Sequence, residues 1–70
     1  MEMTPVTSSC VSAVGYDPTS QTMRLQFKSG ATHDYDQVPP EAHAALMEAG
    51  SLGRHFQTHI RARFSQRKVA

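Results

Sequence analysis

Apolar residues change their spacing once along this chain, near its middle. Met23, Leu25 and Phe27 alternate with Arg24, Gln26 and Lys28, the two-residue period of a half-buried strand. Upstream, Cys10 to Tyr16 carries Val11, Val14 and Tyr16 as its large residues. The step from Val11 to Val14 breaks strict alternation and predicts a bulge or twist in that strand. Downstream, Ala31 to Asp36 puts His33 and Tyr35 on one side and Thr32, Asp34 and Asp36 on the other. Asp17-Pro18-Thr19-Ser20 predicts one turn, because proline fixes φ and Asp17 can bond the backbone two residues on. Lys28-Ser29-Gly30-Ala31 predicts the next turn, with Gly30 free to take positive φ. The expected sheet is a three-stranded antiparallel meander. Residues 1–8 are expected to be a loose lead-in.

After Val38 the period lengthens. Pro39 and Pro40 followed by Glu41 open a helix: a first-turn proline loses no hydrogen bond, and the acid suits the positive end of the helix dipole. Ala42, Ala45, Leu46 and Ala49 give that helix a thin apolar stripe. Gly50 suits its end, and Ser51 is placed to cap a second helix. In the second helix Leu52, Phe56, Ile60 and Phe64 recur every four residues, the mark of a buried stripe. Gly53 costs that helix about 1 kcal/mol of propensity and would let another backbone come close. Gln66 to Ala70 are expected to fray. Leu25, Phe27 and Tyr35 on the sheet and Phe56, Ile60 and Phe64 on the helix can cover one another. The prediction is an α+β fold of order β-β-β-α-α in two layers, in one domain over residues 1–70.

Composition fits this reading. The apolar fraction of 39% and charged fraction of 19% suit a folded domain rather than a disordered tail. No apolar run is long enough to cross a bilayer, and Met1 to Pro5 lacks the apolar stretch of a secretory signal, so no membrane role is expected. The single cysteine, Cys10, cannot form an internal disulfide, which is consistent with a cytoplasmic location.

Charge adds a polarity that the net value of +1 hides. Arg24 and Lys28 stand against Glu2, Asp17, Asp34, Asp36, Glu41 and Glu48 in residues 1–53. Residues 54–70 hold Arg54, Arg61, Arg63, Arg67 and Lys68 and no acid. Five cations in that segment exceed what helix ends require and can track phosphates; the plain alternative is a solvated helix face. Tyr35, with Phe27 beside it, could stack unpaired bases, or both rings could be core, as a small domain can spare few large apolar side chains.

Other constellations point away from catalysis. His55 and His59 share one helical face at the spacing of a metal pair, but no Glu follows His55 as in a zinc peptidase. A polar flank to the buried stripe is the expected reading, and no metal or other cofactor is expected. Cys10 has no base placed beside it, so it is read as packed rather than nucleophilic. Ser8 and Ser9 are read as turn residues that bond the backbone. Asp34 and Asp36 are read as a solvent-facing carboxylate pair. No glycine-rich phosphate loop and no nucleophile elbow occur. The chain is expected to bind rather than to catalyse.

The ordered series Ser8-Ser9-Cys10-Val11, Val14-Gly15-Tyr16-Asp17, Leu25-x-Phe27-x-x-Gly30, Tyr35-x-x-Val38-Pro39 and Ala49-x-Ser51-x-Gly53-x-x-Phe56, with Ile60, resembles the KTSC domain over about residues 8–64, which the resemblance makes the core of the domain. That family occurs as stand-alone bacterial and phage proteins and at the C-terminus of some lysyl-tRNA synthetases. The resemblance implies the fold above and, through the synthetase, RNA binding. The family's Tyr-x-Tyr pair stands here as His33 and Tyr35, a weaker platform if the rings stack on a base. The expected nucleic-acid contacts are Arg54, Arg61, Arg63, Arg67, Lys68, Tyr35 and His33, with a tRNA-like RNA as partner. The alternative is an adaptor, or a phage- or prophage-encoded regulator, that binds a host protein of the translation or transcription machinery. The residues leave the oligomeric state open.

Overall fold

A computed structural model describes residues 1–69. Five strands form one antiparallel sheet in sequence order: β1 (Met3–Pro5), β2 (Val11–Asp17), β3 (Thr22–Phe27), β4 (Thr32–Tyr35) and β5 (Gln66–Lys68). Between β4 and β5 run α1 (Pro40–Glu48), α2 (Leu52–His55) and a π-helical turn (Phe56–Ile60) that continues α2. The three expected strands are the centre of the sheet, and the fold is α+β as expected. The sheet is nonetheless wider than a three-stranded meander, because both chain ends add a strand.

The local signals act where the sequence places them. The pairing of β2 with β3 shifts register between Val11 and Ala13, at the break in alternation. Asp17 Oδ1 accepts a hydrogen bond from the Thr19 N–H, and Gly30 sits at φ +100°. Pro39 and Pro40 open α1. Ser51 Oγ accepts from the Arg54 N–H at 3.4 Å and so caps α2.

The core lies between the sheet and the helices. Val11, Val14, Met23, Leu25 and Tyr35 from the strands meet Val38, Leu46, Leu52, Phe56 and Ile60. Phe27, Tyr16 and Phe64 pack against its margin, half-buried. Leu46 is the one buried residue of α1, Ala42 packs half-buried against the core and Ala45 is exposed, so the expected stripe holds only in part.

The four-residue stripe has a geometric cause. At 3.6 residues per turn, a strict four-residue repeat drifts by about 40° per step around an α-helix. The π turn is wider: the Arg61 N–H donates to the Phe56 carbonyl five residues back. This keeps Leu52, Phe56 and Ile60 on one side, all buried. The helix then ends at Ile60, so Phe64 is reached through a loop.

Both expectations for the chain ends are corrected. Residues 1–8 are not all lead-in: Met3, Thr4 and Pro5 pair with Gly15, Val14 and Ala13. Gln66 to Lys68 do not fray: they pair with Tyr35, Asp34 and His33, and Ala70 lies outside the described residues. Neither strand shows apolar alternation, because each is a short edge held by a neighbour's backbone groups.

Helices cover the face of Val14, Leu25 and Tyr35. The opposite face carries a row of direct cross-strand partners through all five strands: Met3, Gly15, Arg24, Asp34 and Arg67. A Cβ on Gly15 would lie 2.5 Å from Met3 Sδ, so the absent side chain there is what lets Met3 lie flat on the sheet.

Candidate functional site

Of the seven expected contact residues, one is ion-paired, one is buried, His33 is half-buried and four are exposed cations. Arg67 stands on β5, not on a helix, and its guanidinium grips Asp36 with two bonds of 2.8 and 2.9 Å. Its Nη2 is also 4.0 Å from Asp34. Its charge is spent within the molecule, which corrects its place in a free basic face. Asp36 is held below the usual carboxylate range, first by the hydrogen bond from Arg67.

Asp34 is corrected too. It does not face solvent but is 4% exposed. Arg24 covers it with a two-pronged pair at 2.7 and 3.0 Å, and Arg67 lies beyond. Parity along the strand placed Asp34 opposite the core correctly. Burial comes instead from two long side chains on neighbouring strands, Arg24 and Arg67, the second in the segment expected to fray.

Tyr35 is the third correction. It is 1% exposed, its ring stands edge-on to Phe56 at 5.5 Å, and its hydroxyl donates to Gln66 Oε1 at 3.1 Å. Burial pushes the hydroxyl's pKa up. A ring so enclosed offers no open face to a base.

Arg54, Arg61, Arg63 and Lys68 remain exposed, and none pairs with a carboxylate among the described residues. They line more than one depression. Arg54 lines a shallow depression with Gly50, His55 and His59, and Arg63 lines another with Ala42, His55 and Phe64. Arg61 turns the other way, into a cleft of about 260 Å³ lined by Cys10, Phe27, Ser29, Ala31, His33, Tyr35, Phe56, Gln57, Arg61 and Gln66. Lys68 stands directly across from His33 in the β4–β5 register, on the face that bears the cleft.

The cleft walls are rings. Phe27 meets His33 at 5.4 Å and Phe56 at 5.6 Å, both edge-to-face. The rim is polar: Arg61 Nη1 donates to Gln57 Oε1 at 3.1 Å. Sequence reasoning named Arg61, His33 and Tyr35 separately but did not foresee the cleft. Gln57 and Gln66 gave no signal, since an exposed glutamine carries no periodicity.

Cys10 lies at this cleft because of its turn and a glycine. Ser8 Oγ accepts from the Cys10 and Val11 N–H groups at 3.3 and 3.4 Å, the backbone-bonding role expected of it. A Cβ on Gly53 would lie 3.2 Å from Cys10 Sγ. The expectation of a backbone close to Gly53 is corrected: its near neighbours are the Cys10 and Ser8 side chains.

His55 and His59 stack at 4.3 Å with an interplanar angle of 15°. Burial, then the neighbouring His59, holds His55 below the ordinary histidine pKa. No third His, Cys, Asp or Glu joins them among the described residues. His43 stacks on Tyr16 at 4.5 Å, while the Tyr16 hydroxyl donates to the Val38 carbonyl at 2.6 Å. No helix is long and apolar enough to cross a membrane among the described residues.

The KTSC domain family model matches residues 7–64, so the chain belongs to the KTSC domain family. The crystal structure of a KTSC domain protein from Yersinia pestis superposes with a TM-score of 0.95 at 38% identity, covering 99% of this chain and 97% of that one. An uncharacterized protein of Stutzerimonas stutzeri is 48% identical over 56 residues, 80% of this chain and 79% of its own. A lysine–tRNA ligase of Nostoc sp. is 34% identical over 62 residues, which are 89% of this chain and 11% of the ligase.

Proposed function

We propose that this domain binds RNA without catalysing a reaction on it. The observation that carries the reading is the set of cations left after internal pairing. Of the five in residues 54–70, Arg67 is neutralised by Asp36, and Arg54, Arg61, Arg63 and Lys68 face solvent without a carboxylate partner among the described residues. Unpaired cations displace counterions from phosphates, which gives sequence-independent affinity. Similarity to a segment of lysine–tRNA ligases adds support for a tRNA-like partner, and such a partner implies a cytoplasmic setting.

Filter binding to tRNA and to a single-stranded oligoribonucleotide across a salt series tests this. Four phosphate contacts predict a log–log salt slope of about −3 on a single strand. Arg63→Ala should lower that slope by about 1 unit or less while weakening all sequences alike. No binding at low salt, or binding indifferent to salt, would sink the reading in favour of the protein-binding adaptor.

A further inference from the structure

We propose that the cleft between β4 and the π turn holds one unpaired nucleobase, with that nucleotide's phosphate on Arg61. This rests on the RNA reading but asks more of it, since cations alone would bind RNA without any pocket. The walls are a preformed ring cluster: Phe27 and His33 are half-buried and line the opening, and Tyr35 and Phe56 close it from behind. Edge-to-face contacts join Phe27 to both His33 and Phe56, and Phe56 to Tyr35, so the cleft need not be assembled on binding. Flat heterocycles stack on such walls whatever their sequence.

The rim supplies a polar edge. Gln57 Oε1 already accepts from Arg61, and Gln66 Oε1 from the Tyr35 hydroxyl. Each glutamine's amide N–H groups are left to donate to a ring nitrogen or carbonyl of a base. Charge fits as well. None of the ten lining residues is a carboxylate, Arg61 bonds only a neutral glutamine, and Lys68 stands across from His33. Size selects the occupant: about 260 Å³ falls below the roughly 300–1,000 Å³ of sites for drug-sized ligands, which suits one base rather than a stacked run.

Cys10 makes the test direct. It is the chain's single cysteine, half-buried and at the cleft, so its alkylation by iodoacetamide reports occupancy. The probes are the four ribonucleoside 5′-monophosphates, ribose 5-phosphate and inorganic phosphate. At least one nucleotide should slow alkylation, and neither base-free probe should. Arg61→Ala should raise the half-protecting concentration about tenfold, the weight of one charged hydrogen bond. Ser29→Trp, which plugs the rim, should abolish protection while melting like wild type.

The same titrations in ¹⁵N spectra should move the amide peaks of Ala31, His33 and Gln57 and leave Gly15 and Arg24 still. This decides the matter should Cys10 prove unreactive in the free protein. Protection by phosphate alone, or no protection and no shift with any nucleotide, overturns the base site. If oligoribonucleotide binding stays salt-dependent and equal in Ser29→Trp, the base site is wrong and the RNA reading stands. If the wild-type chain binds no RNA, both fall.

Discussion

Phe56 is where packing and the cleft meet. It is 3% exposed and touches the rings of Phe27 and Tyr35. Phe56→Ala should cost about 3–5 kcal/mol, as large-to-small core changes do, which in a domain this small can unfold the chain. A thermal melt equal to wild type would contradict that burial. His43 gives a residue-scale prediction of another kind. Burial against Tyr16 lowers its pKa below the ordinary 6.5, so the folded state favours the neutral ring. The unfolded chain then binds more protons as pH falls, and stability is lost as pH drops through 6.5 toward the folded value. Asp36 titrates below 3.8, outside that window. His43→Phe keeps a ring on Tyr16 without a proton to gain. Melts between pH 7.5 and 5 should show a shallower loss in the variant, with His55 supplying what remains of the slope in the same direction.

At the scale of elements, β5 closes the fold. Its backbone pairs with β4, Gln66 receives the Tyr35 hydroxyl, and Arg67 holds Asp36. A chain ending at Phe64 should therefore melt clearly lower than the full chain, where a frayed tail would leave the melt unchanged. The central strands and both helix starts were legible because their signals are local: alternation at Met23 to Phe27, a proline pair before Glu41, a serine before Leu52. The edge strands were not. Met3 to Pro5 and Gln66 to Lys68 carry no alternating apolar residues, and they are strands only because the edges of β2 and β4 offer unpaired backbone groups. The end of the second helix is not legible in the sequence for a related reason. The stripe continues to Phe64 in sequence, but the π turn spends its extra width by Ile60, and the chain leaves to reach the β4 edge.

At the scale of the whole molecule, charge separates into two surfaces. The open sheet face interleaves Arg24, Asp34, Arg67 and Asp36 into a neutral lattice. The region of the helix end and cleft keeps its cations unopposed. Two variants with the same charge change should therefore differ. Arg63→Glu should leave stability within about 0.5 kcal/mol, as exposed substitutions usually do, yet weaken RNA binding. Arg67→Glu should lower the melting temperature, because it sets a third carboxylate beside Asp34 and Asp36. Filter binding and melts on both proteins check this, and equal effects on stability would contradict the division.

Sequence alone determined the α+β class, the three central strands, the stripe of Leu52, Phe56 and Ile60, and the concentration of cations after residue 53. Each follows from periodicity or composition within a short window. Only the tertiary structure decided which cations are free, that Asp34 and Tyr35 are buried, and that Cys10, His33, Gln57 and Arg61 share one cleft. Those facts depend on strand pairing between residues about thirty positions apart, such as Asp34 with Arg67, and no local pattern encodes which distant side chain will arrive to neutralise or enclose another.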